Sequence, residues 1–315
     1  DTLTWTKGNH TFKFGGEVRL LKVDFDQLGG TVYSFGSIRD FVLNQNLTAA
    51  YIGDLSAAGD FRIATDPITT FSRPKSGVSK GRQHYIIGFA QDEWKVTPNV
   101  VLSYGMRYEY YSPNREADGR AIVVNAANGL ILPGTSDFYR ASTKNFGPRL
   151  GLTWTPKAFG GKTVIRGGTG LIFSPQIIGN MWNLVGTEYI PKRITFTKQE
   201  ASTLGLRYPM VNDDIRVFAE QQAKALGYTN IFALINPKIE SPYTHHYTLS
   251  IERQLTRDLV LETGIVGVRG TKFPVWRPLN EPNRVTGIRP NPLLRVQYYL
   301  DGSATMQYAS WQTSL

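Results

Sequence analysis

Nine charged residues stand at alternating positions in stretches that read as extended: Lys13, Glu17 and Arg19; Arg107 and Glu109; Arg149; Arg166; and Glu252 and Glu262. Alternate residues of a strand share a face, so each charge falls beside small residues such as Gly105, Gly151, Gly168, Gly170 and Gly264. The chemistry open to such a face is binding and guiding of a polar solute, or ion pairing that keeps an interior polar. The second reading is favoured, because interiors of this type are polar whatever they carry. Turnover chemistry is not expected. No GxSxG, HExxH or complete phosphate loop is present, and Gly160-Gly161-Lys162-Thr163 has only the tail of one. His245 and His246 are adjacent, so in a strand they point to opposite faces and do not chelate one metal together. Asp213 and Asp214 suit the start of a helix, where the dipole favours negative charge. The expectation is a protein that is not an enzyme, with no cofactor and no metal site.

The elements that position these charges are clearest between Gln83 and Ser112, two long strands joined at Thr97-Pro98-Asn99. In the second strand, Val101, Ser103, Gly105, Arg107 and Glu109 fall on one face. Val100, Leu102, Tyr104, Met106, Tyr108 and Tyr110 fall on the other. The strand runs about 12 residues, beyond the usual 5–6 of soluble sheets, and about 9–11 tilted residues cross a bilayer. An apolar-aromatic face backed by a small-or-charged one is the pattern of a transmembrane β-barrel strand.

Along the chain the pattern repeats. Hairpins are expected at about 2–25, 83–112, 145–174 and 243–270, with a final strand from 304. Long connections cover 26–82, 113–144, 175–242 and 271–303, and short helices are expected at Ser37–Asn46 and Asp213–Leu226, the latter closed by Gly227. After Leu20 the apolar parity switches to Leu21, Val23 and Phe25, which predicts a bulge. Near Trp94 the spacing leaves the lipid-facing side open. Trp94 shares a face with Asp92, while Gln91 and Glu93 share theirs with Ile87 and Phe89; a bulge or a headgroup-level position would resolve it. Short turns at one end and long loops at the other are the arrangement of an outer-membrane barrel. Trp5, Trp94 and Trp154 lie near the short turns. Tyr108 and Tyr110 lie at the far end, and with Tyr104 they make the interface aromatics. The fold class is therefore all-β: a transmembrane antiparallel barrel with long extracellular loops carrying short helices, in the bacterial outer membrane. A soluble all-β binding protein is the residual alternative. Leu152→Arg separates them, at roughly 2–4 kcal/mol if Leu152 faces mid-bilayer lipid.

Bulk composition agrees. Of 315 residues, 41% are apolar and 12% aromatic, with 31 glycines and 16 tyrosines, which excludes disorder. The absence of cysteine excludes a disulfide framework and thiol catalysis. The net charge of +10 is spread along the chain with no compact Lys/Arg cluster, so nucleic acid is not an expected partner.

Several segments resemble TonB-dependent outer-membrane receptors: FAQDEWKVTPNVVLSYGMRYEYYSP (Phe89–Pro113), NFGPRLGLTWTP with GGKTVIRGGTGLIFSP (Asn145–Pro175), YTLSIERQLTRDLVLETGIVGVRGTKF (Tyr247–Phe273) and TWTKGNHTFKFGGEVR (Thr4–Arg19). The resemblance is to the Oar-like branch, which carries carboxypeptidase-regulatory-like N-terminal domains. It implies that the chain is part of a 22-stranded barrel. It also implies energy-coupled uptake of a bulky ligand captured by the extracellular loops. The partners would be outer-membrane lipid, an unknown extracellular ligand and a TonB-type complex acting through a plug that this sequence does not show. A passive or non-transporting barrel (porin, adhesin or surface scaffold) is the alternative.

Overall fold

The computed structural model describes residues 1–25, 30–63, 66–71, 79–119, 121, 123–124, 131–132, 136–176, 193–210, 212–226, 228–229, 233–278, 281–289 and 298–315. Its centre is an antiparallel meander of β1 (Thr2–Lys7), β2 (His10–Phe25), β3 (Ser79–Thr97), β4 (Val100–Tyr111), β5 (Phe146–Trp154), β6 (Thr163–Phe173), β7 (Tyr243–Gln254), β8 (Val260–Pro278) and β9 (Tyr298–Ser314). Arg115–Glu116 pairs with β3 and Ala233–Ile235 with β9, completing an 11-stranded sheet. Each long strand pairs with its neighbour in the chain, and β1 and β9 do not pair with each other. No helix among the described residues is long and apolar enough to cross a membrane, which says nothing about crossing by strands.

Local chemistry explains the short turns. Gly8 (φ 58°) closes the two-residue turn between Lys7 and His10, a conformation that favours glycine. Gly160 (φ 64°) and Gly161 (φ 69°) end the turn from β5 to β6, so the Gly-Gly-Lys-Thr stretch is hairpin punctuation.

Three details depart from the sequence reading. First, β2 has no bulge after Leu20, because its register with β3 runs without a break from His10↔Trp94 to Phe25↔Ser79. The parity switch arises because the strand outruns the apolar belt. Beyond Leu20 the outer positions are Lys22 and Asp24, while Leu21 turns inward against Tyr85, Ile87 and Tyr111. Second, β8 continues to Pro278 and β9 begins at Tyr298, so strands occupy much of the expected 271–303 loop. Third, the first helix, α1, covers only Ile38–Val42. It stops because Asn44 (φ 49°) and Asn46 (φ 53°) adopt the left-handed conformation.

The long connections are folded. Gly30–Ser34, Thr48–Ile52 and Arg193–Phe196 form a three-stranded sheet, drawing two loops far apart in sequence into one unit. Helices α2 (Lys198–Thr203) and α3 (Asn212–Leu226) pack on it. Ile215, Ala219 and Ala223 repeat every four residues, so α3 buries one narrow stripe against Leu55, Phe196 and Ala201. A capping box between Thr197 and Glu200 starts α2. Asn44 ties the loops together, its carboxamide accepting from the Tyr208 N–H at 2.9 Å and donating to the Tyr208 carbonyl at 2.5 Å. Gly227, expected to close α3, lies outside the described residues.

Candidate functional site

Strand pairing places the nine charges. Arg149 is registered with Gly105 and Gly170, Arg166 with Thr153 and Ser250, and Glu252 with Glu262. Through β2 to β4, Lys13 is registered with Gln91, Glu17 with Ile87 and then Glu109, and Phe89 with Arg107. Paired residues of a sheet share a face, so all nine stand on one side of the wall. Three pairs form there. Glu17 meets Arg19 (Arg19 Nη2 to Glu17 Oε2, 3.0 Å), Arg107 Nε donates to Glu109 Oε1 at 2.6 Å, and Arg166 Nη1 donates to Glu252 Oε2 at 3.0 Å. A cleft of ≈ 360 Å³ lies over Ser103 and Gly105, where this face is lowest, bordered by Phe89, Gln91, Glu93, Arg107 and Arg149. At the end away from the short turns, Tyr85, Ile87 and Tyr111 form a buried cluster with Leu21 and Phe173. Around it Gln83, Glu109, Asn114, Glu116 and Asn145 are buried, and Asn145 Nδ2 donates to the Glu109 carbonyl at 2.9 Å. Tyr139, from the connection after β4, packs beside Gln83, and burial pushes its phenol pKa up. The polar face can therefore bind and orient polar groups. Its charges are largely committed to one another.

The opposite face is apolar. Phe14, Val18, Leu20, Ile86, Met106, Leu150, Leu152, Leu249 and Ile265 are all 40% or more exposed on it. Exposed apolar area on this scale needs a non-aqueous neighbour. Trp5, Trp94 and Trp154 lie on this face beside the short turns, as do Phe12, Leu102 and Val100, their respective partners across the sheet. Trp311, paired with Ile265 and 77% exposed, extends the row to β9. Tyr108 and Tyr110 lie at the far end, with Phe146 registered on Tyr108. Tyr104 sits close to the Trp row, registered with Asp92 and Leu150.

That register resolves the ambiguity around Trp94. Trp94 and Asp92 share the apolar face, and Ile87, Phe89, Gln91 and Glu93 the polar one. The bulge in this strand falls lower, between Lys95 and Thr97. Asp92 is only 4% exposed because His10 and Tyr104 cover it. Asp92 Oδ2 accepts from His10 Nδ1 at 2.7 Å and from the Tyr104 hydroxyl at 2.8 Å, and the His10 ring stacks between Phe12 and Trp94. Oδ2 is thereby doubly hydrogen-bonded, which offsets part of the cost of burying the carboxylate. The sequence reading missed this triad because its members come from three strands; an acid at an apolar-face position was the signal. His245 and His246 do point to opposite sides, toward Thr169 Oγ1 (2.7 Å) and Thr244 Oγ1 (2.9 Å) respectively.

Comparison with solved structures returns outer-membrane receptors at low identity. The siderophore receptor PirA from Acinetobacter baumannii is 10% identical, with a TM-score of 0.44, over 97% of this chain and 34% of that one. The Serratia marcescens hemophore receptor HasR, in complex with its hemophore HasA and heme, is 11% identical at a TM-score of 0.41, covering 96% and 39%. The outer membrane transporter YddB from Escherichia coli is 12% identical at 0.38, covering 98% and 40%. The chain thus spans well under half the length of these proteins. No curated protein matches it. The sequence profile of the outer membrane β-barrel domain matches residues 1–315. A wall apolar and tryptophan-banded on one side, polar on the other, is what such a domain requires in the bacterial outer membrane, and the chain belongs to the outer membrane β-barrel domain family.

Proposed function

We propose that this chain is part of the wall and outer loops of a TonB-dependent receptor of the Oar-like branch, taking up a bulky ligand with energy from the inner membrane. The observation that carries the reading is the ion-paired polar face running up to a folded unit built from the long loops. The loops would capture ligand, and the paired charges would keep the lumen polar around a plug and a passing solute. The segment resemblances at Phe89–Pro113 and Tyr247–Phe273 support the same branch. In this reading the nine charges have no catalytic role, and the partners are outer-membrane lipid, an extracellular ligand and an energy-coupling complex. The test is to map the polypeptide that carries this chain and to measure ligand uptake with and without a proton-motive-force uncoupler. A plug-like domain bearing a TonB-contacting segment, with uptake abolished by the uncoupler, is the expected result. A barrel without that domain, or uptake indifferent to the uncoupler, would leave a passive porin, adhesin or scaffold.

A further inference from the structure

Three cations stand abreast on the outer face, one from each of three adjacent strands. Lys22 on β2 is registered with Arg82 on β3, and Arg82 with Arg115 in the short strand beyond it. Like charges directly opposite one another destabilise a sheet, so this row costs stability unless an anion lies against it. The acids nearby answer only part of the charge. Arg82 Nη1 donates to Asp24 Oδ1 at 2.8 Å, Lys80 in the next row pairs with Asp118 at 2.9 Å, and Asp137 borders the site. Lys22 and Arg115 have no ion-pair partner among the described residues. The row lines a cleft of ≈ 290 Å³ shared with Leu20, His84 and Tyr110.

Its height identifies the occupant. From His10 and Trp94 in the tryptophan row to Lys22 and Arg82 is 12 residues along each strand. At about 3.3 Å per residue and a tilt near 40° that is roughly 30 Å along the barrel axis, just past an apolar band about 25 Å tall. Directly below the cations are Leu20, 74% exposed, and Val18, 67% exposed. We infer that Lys22, Arg82 and Arg115 bind the phosphorylated headgroup of an outer-leaflet lipid, with its acyl chains lying along Leu20, Val18 and Ile86. Guanidinium groups suit phosphate because they donate in a planar fork. The apolar belt beneath selects a lipid-borne phosphate over a free one.

The test uses the full-length protein in detergent and native mass spectrometry with a diphosphorylated, acylated glucosamine disaccharide and its dephosphorylated counterpart. The phosphorylated lipid is expected to bind at least about tenfold more tightly, and Lys22→Gln/Arg115→Gln to remove most of that preference. Lys95→Gln/Lys157→Gln at the opposite rim is expected to leave it unchanged, and tens of millimolar inorganic phosphate not to compete. Heat-modifiable migration checks that each variant is a folded barrel, and Lys22→Gln alone, at an exposed position, gives a milder form of the same loss. Equal binding of the two lipids, an unaltered preference in the double variant, or full displacement by inorganic phosphate would each overturn the assignment.

Discussion

Leu150→Arg measures which side of the wall meets lipid. Leu150 is 52% exposed on the apolar face, registered between Tyr104 and Thr169. It lies four residues from Trp154, which marks one interface. At about 3.3 Å per residue and a tilt near 40°, that is roughly 10 Å into a band about 25 Å tall, close to its midplane. An arginine at that depth costs about 2–4 kcal/mol, falling to about 0–1 near the interfaces. Leu152, only two residues from Trp154, lies nearer the interface than the midplane, so Leu152→Arg should cost distinctly less than Leu150→Arg. Ser103→Arg, at similar height on the polar face, should stay within about 0.5 kcal/mol. The assay is reversible unfolding of the full-length protein from vesicles by guanidinium. A Ser103→Arg penalty as large as that of Leu150→Arg would refute the assignment of faces.

Tyr104→Phe removes one of the two side-chain donors to a covered carboxylate. It should lower stability in the same assay more than Tyr110→Phe, whose hydroxyl makes no described hydrogen bond. Gly105→Ala would place a Cβ 2.6 Å from Gln91 Cβ and 2.8 Å from the Ala90 carbonyl. Overpacking of that kind costs typically about 1–3 kcal/mol, whereas Gly88→Ala meets open space and should be nearly neutral. In the loop unit, the Thr197 backbone N–H holds the Glu200 carboxyl below its ordinary 4.5, and hydrogen bonds from Asn46 and Ser37 hold Asp40 below 3.8. Depressed values mean that this stabilisation is complete above those ordinary values and is lost as pH falls through and below them. Protease sensitivity of the loop unit should therefore rise below about pH 4, and Thr197→Ala should weaken that dependence; a pH-independent cleavage rate would contradict it.

What the sequence made legible is what repeats every two residues. The alternation in Val100–Tyr110 is strict because one face meets lipid and the other does not, and the hairpins follow from it. Trp5, Trp94 and Trp154 were readable as a band because each sits near a short turn. Trp311 was not, because its position follows only from pairing with Ile265. Leu21 and Val23 misled because the strand continues past the apolar belt, where the inner face takes over the burial. Features assembled from distant segments left little local trace, the acid at apolar-face position 92 being the exception. The loop core joins Tyr51 to Ile194, the Asp92 triad draws on three strands, and the cation row unites Lys22, Arg82 and Arg115. A compact Lys/Arg cluster was absent from the sequence because that row forms only across strands.

The central claim is that one side of β4 faces lipid and the other an aqueous interior. The most direct measurement is a nitroxide scan of residues 100–110 in the reconstituted full-length protein, comparing collision with oxygen and with a water-soluble nickel chelate. A period-two pattern is predicted. Oxygen access should be highest at Leu102, Tyr104 and Met106, and chelate access at Val101, Ser103 and Gly105. In-phase profiles for the two probes, or chelate access on the Leu102–Met106 side, would contradict the membrane-wall account.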